Sequence, residues 1–154
     1  MARRVITLLG NPFVTEEGVA GEIITPGYLV MGQATIVKST VDALKAPMRV
    51  ALERDELGRG IDGTAGAASL DTNIVAGESP DYAVGDTVKV GAFSAGMRFY
   101  GFIASGQNIT ADGLLEGAGD GTFEDLAGAE PLVRAVESVN ATNPGDTRIR
   151  LEVI

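Results

Sequence analysis

No cysteine and no histidine occur among the 154 residues. The first absence rules out a disulfide framework and any thiolate metal site. The second removes the commonest general base and the commonest metal ligand, and with them any triad built on imidazole. Tryptophan is also missing, and aromatic residues make up 5% of the chain. That disfavours a concave aromatic platform for sugars or peptides. No apolar run approaches the roughly 20 residues that a membrane-spanning helix needs. Basic residues are outnumbered, 12 against 21 acidic, giving a net charge of -9 and a sequence pI near 4.4. Nucleic acid and anionic membrane surfaces both select for Lys and Arg, so neither is expected as a partner. Arg3-Arg4 ahead of Val5–Leu9 falls short of an export signal. The apolar stretch is brief, no small-residue cleavage site follows, and Asn11-Pro12 interrupts it. The expectation is a mature intracellular product.

What is present is a globular composition, 45% hydrophobic and 21% charged, with 21 glycines to serve tight turns. The length fits one domain with a real core. Residues 1–60 carry seven basic and seven acidic side chains, while the remainder carries five and fourteen. Two readings fit this asymmetry: one face meets a partner while the other faces solvent, or the later loops are simply acidic. A diverged repeat is more specific. Ile24-Thr25-Pro26-Gly27-Tyr28-Leu29-Val30-Met31-Gly32 is echoed 85 positions later by Ile109-Thr110-Ala111-Asp112-Gly113-Leu114-Leu115-Glu116-Gly117. Downstream, Pro47–Glu53 matches Pro131–Glu137 at an offset of 84. So little drift points to one supersecondary unit used twice, residues 22–54 and 107–138. Two copies are too few for a solenoid.

Residues 1–20 lack periodicity and read as an extended N-terminal arm, leaving 21–154 as a single β domain. Pro26-Gly27 is a turn, Pro presetting φ and Gly accepting a positive φ. Strands are expected at 28–31, 35–38, 48–53, 87–90 and 97–104. The cleanest alternation is the last, Arg148-Ile149-Arg150-Leu151-Glu152-Val153-Ile154. Residues 58–80 are rich in Gly, Ala and Ser and read as a long loop or flap. One or two short helices are expected, at 40–46 and 124–127, the first stopped by Pro47. Many short strands between regular turn signals indicate an all-β fold.

Candidate chemistry is sparse. Gly60-Ile61-Asp62-Gly63 is similar to the Gly-Ile-Asp segment of dUTPases, but no tyrosine follows until Tyr82 and no other motif of that family is present. The chain is read as no enzyme, with no catalytic residue, cofactor or resident metal. Asp120, Glu124 and Asp125 bracket Gly121 and could ligate a hard cation, although their spacing is not that of an EF-hand loop. Arg3 and Arg4 could dock on an acidic neighbour or form a plain solvated terminus. Gly106–Leu115 has the Gly, Ile, Gly and Leu spacing of a β-clip turn, which speaks for fold more than function.

Taken in order, these pieces resemble a known family. Glu22–Val30, Ala51-Leu52-Glu53, Gly58–Asp62, Tyr82–Val90, Ile109–Leu115, Glu116–Thr122, Arg134–Glu137 and Arg148–Val153 together are similar to the capsid decoration (cement) proteins of tailed bacteriophages, over about residues 20–154. The resemblance implies a compact β-clip or β-tulip barrel and a structural virion protein on the outer capsid surface, assembled in the host cytoplasm. It implies a homotrimer at threefold and quasi-threefold positions that bridges subunits of the major capsid protein. Capsid and subunit contacts are then expected from the arm (Arg3, Arg4, Val5, Leu8, Phe13, Val14) and from the Pro26-Gly27-Tyr28 turn. Alternatives are another virion part, such as a head fibre base or tail component, or a β-clip ligand-binding module.

Overall fold

The computed structural model describes residues 7–9, 14–40, 48–52, 81–141 and 147–154. Within them every regular element is a strand. In chain order these are β1 (Thr7–Leu9), β2 (Val14–Ala20), β3 (Val30–Met31), β4 (Thr35–Lys38), β5 (Met48–Ala51) and β6 (Thr87–Phe93). There follow β7 (Arg98–Ile103), β8 (Asn108–Ile109), β9 (Leu114–Gly117), β10 (Phe123–Asp125), β11 (Val133–Ala135), β12 (Val139–Asn140) and β13 (Thr147–Val153).

Alternating burial rolls these strands into two closed barrels. In the second, β7, β10, β9, β11 and β13 pair in turn, and β13 returns to β7 to close the circle. Phe99, Ile103, Leu115, Phe123, Val133, Ile149 and Leu151 fill its interior. In the first, β4 joins β2 in parallel and β3 antiparallel, while β6 lies between β2 and β5. The outer edges of β3 and β5 then meet at a Leu29–Val50 bridge. There the Gly27 N–H donates to the Ala51 carbonyl at 2.9 Å, and the Ala51 N–H donates to that of Tyr28 at 3.0 Å. Ala20, Val30, Ile36, Ala51, Val88 and Val90 fill this smaller interior. Closure removes exposed sheet edges from both units.

The two barrels are one design used twice, and the duplication runs further than the echo in sequence. The parallel pair Ala20–Ile36 has its counterpart in Ile103–Phe123, and the bridge Leu29–Val50 in Leu114–Arg134. Val50–Gly91 matches Arg134–Glu152, and Gly18–Val88 matches Gly101–Ile149. The turn hydrogen bonds coincide as well: Tyr28 to Thr25 and Gly113 to Thr110, each N–H to carbonyl. Gly27, with φ of 106°, stands where the second copy has Asp112, the one described non-glycine residue with positive φ, at 65°. Between corresponding pairs Ile24–Tyr82 and Ile109–Val139, the first copy carries residues 52–81 where the second carries 136–138. The glycine-rich stretch is thus an insertion into one copy.

The barrels are joined by the outer face of the first. Leu29, Met48, Val50 and Phe93 point away from their own interior and are buried in the second barrel's core cluster. Phe93 packs on Phe99 with ring centroids 5.0 Å apart. Burying side chains of this size stabilises by about 1.5–3 kcal/mol each.

One expectation is corrected. Residues 123–125 form β10 and not a helix at 124–127, because Phe123 is needed inside the barrel and Glu124 pairs with Glu116. Of the expected arm at 1–20, β1 pairs with β7, and β2 pairs with β6 over 14–19 and with β4 at Val19 and Ala20; residues 1–6 and 10–13 lie outside the described residues. The alternation of β2 is hidden because the residues in phase with the buried Ala20 are a half-buried Gly18 and an exposed Glu16, while Val19 points out to solvent. The expected helix at 40–46, beyond Thr40, and the loop at 58–80 lie outside the described residues.

Gly18 and Gly101 hold equivalent places where neighbouring residues press on the backbone. A Cβ on Gly18 would lie 2.4 Å from the Gln33 carbonyl oxygen and 2.6 Å from Ile36 Cγ1. Gly18→Ala is predicted to destabilise the protein by about 1–3 kcal/mol, read as a lower urea midpoint at unchanged slope.

Candidate interaction surface

The turn singled out in the sequence is where the first barrel grips the second. Pro26 and Gly27 are buried and Tyr28 is half-buried. A Cβ on Gly27 would stand 3.0 Å from the Tyr100 carbonyl oxygen and 3.2 Å from the Phe102 ring, so the close approach and the positive φ both require glycine. The Tyr28 ring meets Phe102 edge-on at 5.2 Å. Arg148 stacks its guanidinium 4.9 Å from the Phe102 centroid and reaches the Pro26 carbonyl at 3.4 Å. Lys38 Nζ lies 5.5 Å from the Tyr28 centroid. Of the other expected contact residues, Leu8 lies on β1 and Val14 opens β2. Arg3, Arg4, Val5 and Phe13 lie outside the described residues.

Sequence reading missed the band that continues from this turn. Strands β7 and β13 run antiparallel with Arg148 opposite Phe102, Arg150 opposite Tyr100 and Glu152 opposite Arg98. Period-2 alternation sends all six outward. Arg134, on neighbouring β11, lies opposite Glu152 and joins them. Four of the five basic residues beyond residue 60 therefore share one face of an acidic chain. The signal was present in Arg148-Ile149-Arg150-Leu151-Glu152, but strand pairing was needed to add Arg98 and Arg134.

The band is braced by its own carboxylates. Glu152 accepts from Arg98 Nε and from Arg134 Nη2, both at 2.5 Å. Glu137 accepts from Arg150 Nε at 2.8 Å and from its backbone N–H at 2.9 Å. These bonds favour the ionised acids. The Arg98 and Arg134 hydrogen bonds hold Glu152 below the ordinary carboxylate range, and that of Arg150 does the same for Glu137. Arg150 is raised in turn, chiefly by its bond to Glu137. The Arg98, Arg134 and Arg150 guanidiniums are thereby fixed in orientation at a surface.

The acidic trio behaves differently from a ligand set. Asp120 Oδ1 accepts the Thr122 N–H at 2.9 Å and its hydroxyl at 2.5 Å, so it serves the β9–β10 turn. Among the described residues no three His, Cys, Asp or Glu side chains gather to hold a metal ion. Asp62 lies outside the described residues.

Because the folded pKa values of Glu137 and Glu152 sit below the ordinary value, their contribution is complete above it and is lost as pH falls through the folded values. Stability of the wild type is expected to drop on acidification from about pH 5 to pH 3. A Glu137→Gln, Glu152→Gln double variant should lose less over that window, as urea midpoints would show.

No family model matches the sequence, and no curated protein matches it. Among solved structures, the chain is similar to the head fibre gp8.5 N base of bacteriophage phi29, at 15% identity and a TM-score of 0.54. The match covers 92% of this chain and 93% of that one, so the shared fold takes in both barrels and not one alone.

Proposed function

We propose that this chain is a structural protein of a tailed-phage virion. It binds the outer surface of the mature head and stabilises it by bridging neighbouring subunits of the major capsid protein, as a trimer at threefold and quasi-threefold sites. The observation that carries this reading is the fold shared end to end with a phage head fibre base. The ordered resemblance to decoration proteins supports it from the sequence side. An expanded shell is thin and is pressed outward by packaged DNA. A rigid clamp across its joints adds buried area to each joint, and specific contacts commonly bury about 1,600 Å². Many copies acting together give avidity without strong individual affinity.

In this reading the exposed Arg band and the Tyr28 edge supply polar, oriented contacts, and the N-terminal residues Arg3, Arg4 and Val5 extend the grip. A second reading is favoured by the likeness to a head fibre base: the chain is the base through which a fibre sits on the head. Both readings put it outside the shell, with no enzymatic role and no cofactor.

Mixing the purified chain with expanded and unexpanded heads, then sedimenting them, separates these ideas from others. Saturable binding to expanded heads is expected, with little to the unexpanded form and with raised resistance of the loaded heads to heat or chelator. Binding without added resistance would favour the fibre base, and no binding to either form would remove both readings. Deleting residues 2–6 should lower occupancy while leaving the folded core intact; unchanged occupancy would end the proposed role of those residues.

A further inference from the structure

The duplication allows each surface of one barrel to be compared with the same surface of the other. In the first barrel Leu29, Met48, Val50 and Phe93 form an outward face covered by the second barrel, and Leu29, Val50 and Phe93 are 0%, 0% and 2% exposed. Their counterparts in the second barrel are Leu114, Leu132, Arg134 and Ile154. Leu114 is 40% and Ile154 50% exposed, two of the few large apolar side chains left in solvent. Leu132 is buried in the core cluster and Arg134 is half-buried. The fold therefore buries this face once and presents it again with Leu114 and Ile154 uncovered at its edges.

The receiving end can be compared in the same way. The second barrel receives the first at the end that contains Phe99, Val133 and Val153. Register places Glu16, Arg49 and Ala92 at those positions of the first barrel. This end is closed by an ion pair between Arg49 and Glu16, with Arg49 also donating to the Gly32 carbonyl. Both sides of the junction have changed together. Val50 becomes Arg134 on the face, while Phe99 becomes Glu16 in the socket; Gly91 becomes Glu152, while Val133 becomes Arg49. Each change sets opposite charges where the internal junction has apolar or small residues.

We infer that the outer face of the second barrel, presenting Leu114, Arg134 and Ile154, docks on the Glu16–Arg49 end of the first barrel of a second copy of this chain. The contact repeats the internal barrel junction in a polar form. It is heterologous, so it closes into a ring where the rotation permits. Its apolar rim gives adhesion and its charges give register and salt sensitivity. The inference goes beyond the head reading, because it stands or falls on self-association of the purified chain whether or not heads are bound.

The test is the molar mass of the full chain by light scattering and sedimentation over a range of protein concentrations, at about 0.1 M and about 1 M salt. Association is expected at the lower salt and should weaken at the higher. Leu114→Asp and Ile154→Asp, both at exposed positions, should weaken it by about tenfold or more with an unchanged urea midpoint. Arg134→Glu should also weaken it, with its urea midpoint read alongside because Arg134 bonds Glu152 within the chain, and combining Arg134→Glu with Glu16→Arg should restore part of the loss. A chain that stays monomeric throughout would overturn the inference. So would an oligomer whose mass is indifferent to the Leu114, Ile154 and Arg134 substitutions.

Discussion

The structure depends on one apolar junction. The second barrel is open at the end containing Phe99, Val133 and Val153, and the first barrel lays Met48, Val50 and Phe93 across that opening. Neither barrel is large. A five-stranded ring of short strands encloses few side chains, and small cores are marginal on their own. Placing the outward face of one against the end of the other merges the second core with the interface. The Pro26-Gly27-Tyr28 turn locks the same junction from the side, through Phe102 and Arg148.

Duplication followed by divergence accounts for the differences between the halves. Glycine stands at both 18 and 101, where neighbouring atoms lie too close to admit a Cβ. A positive φ is kept at Gly27 and Asp112, because the turn needs it. Residues at the two ends have changed instead. The end of the first barrel has exchanged its apolar lining for Glu16 and Arg49, which satisfy each other and a carbonyl. The corresponding outer face of the second has acquired Arg134 and Glu152.

Much of this was legible in the sequence where local chemistry speaks loudly. The echo of 24–32 in 109–117 located the paired turns, and the alternation of 148–153 located β13 with its outward Arg148, Arg150 and Glu152. The rest required tertiary pairing. β2 and β7 are equivalent strands, yet Glu16 stands for Phe99 and Ala20 for Ile103, so neither hydrophobicity nor residue type reveals the match. The strand at 14–20 could not be read for that reason, since Glu16, Gly18 and Ala20 make no apolar stripe. The Arg band was invisible as a unit because Arg98 and Arg134 reach it from separate strands. The contact role of Pro26-Gly27-Tyr28 could be read as docking, but which surface it docks against is a property of the fold.

The proposed adhesive role draws on a face of oriented guanidiniums in a tandem of barrels with a net acidic charge. That view rests on the two barrels behaving as one body, and differential scanning calorimetry of the whole chain tests it most directly. One transition is predicted, with equal calorimetric and van't Hoff enthalpies. Two separate transitions, one for each barrel, would contradict a junction that carries the fold.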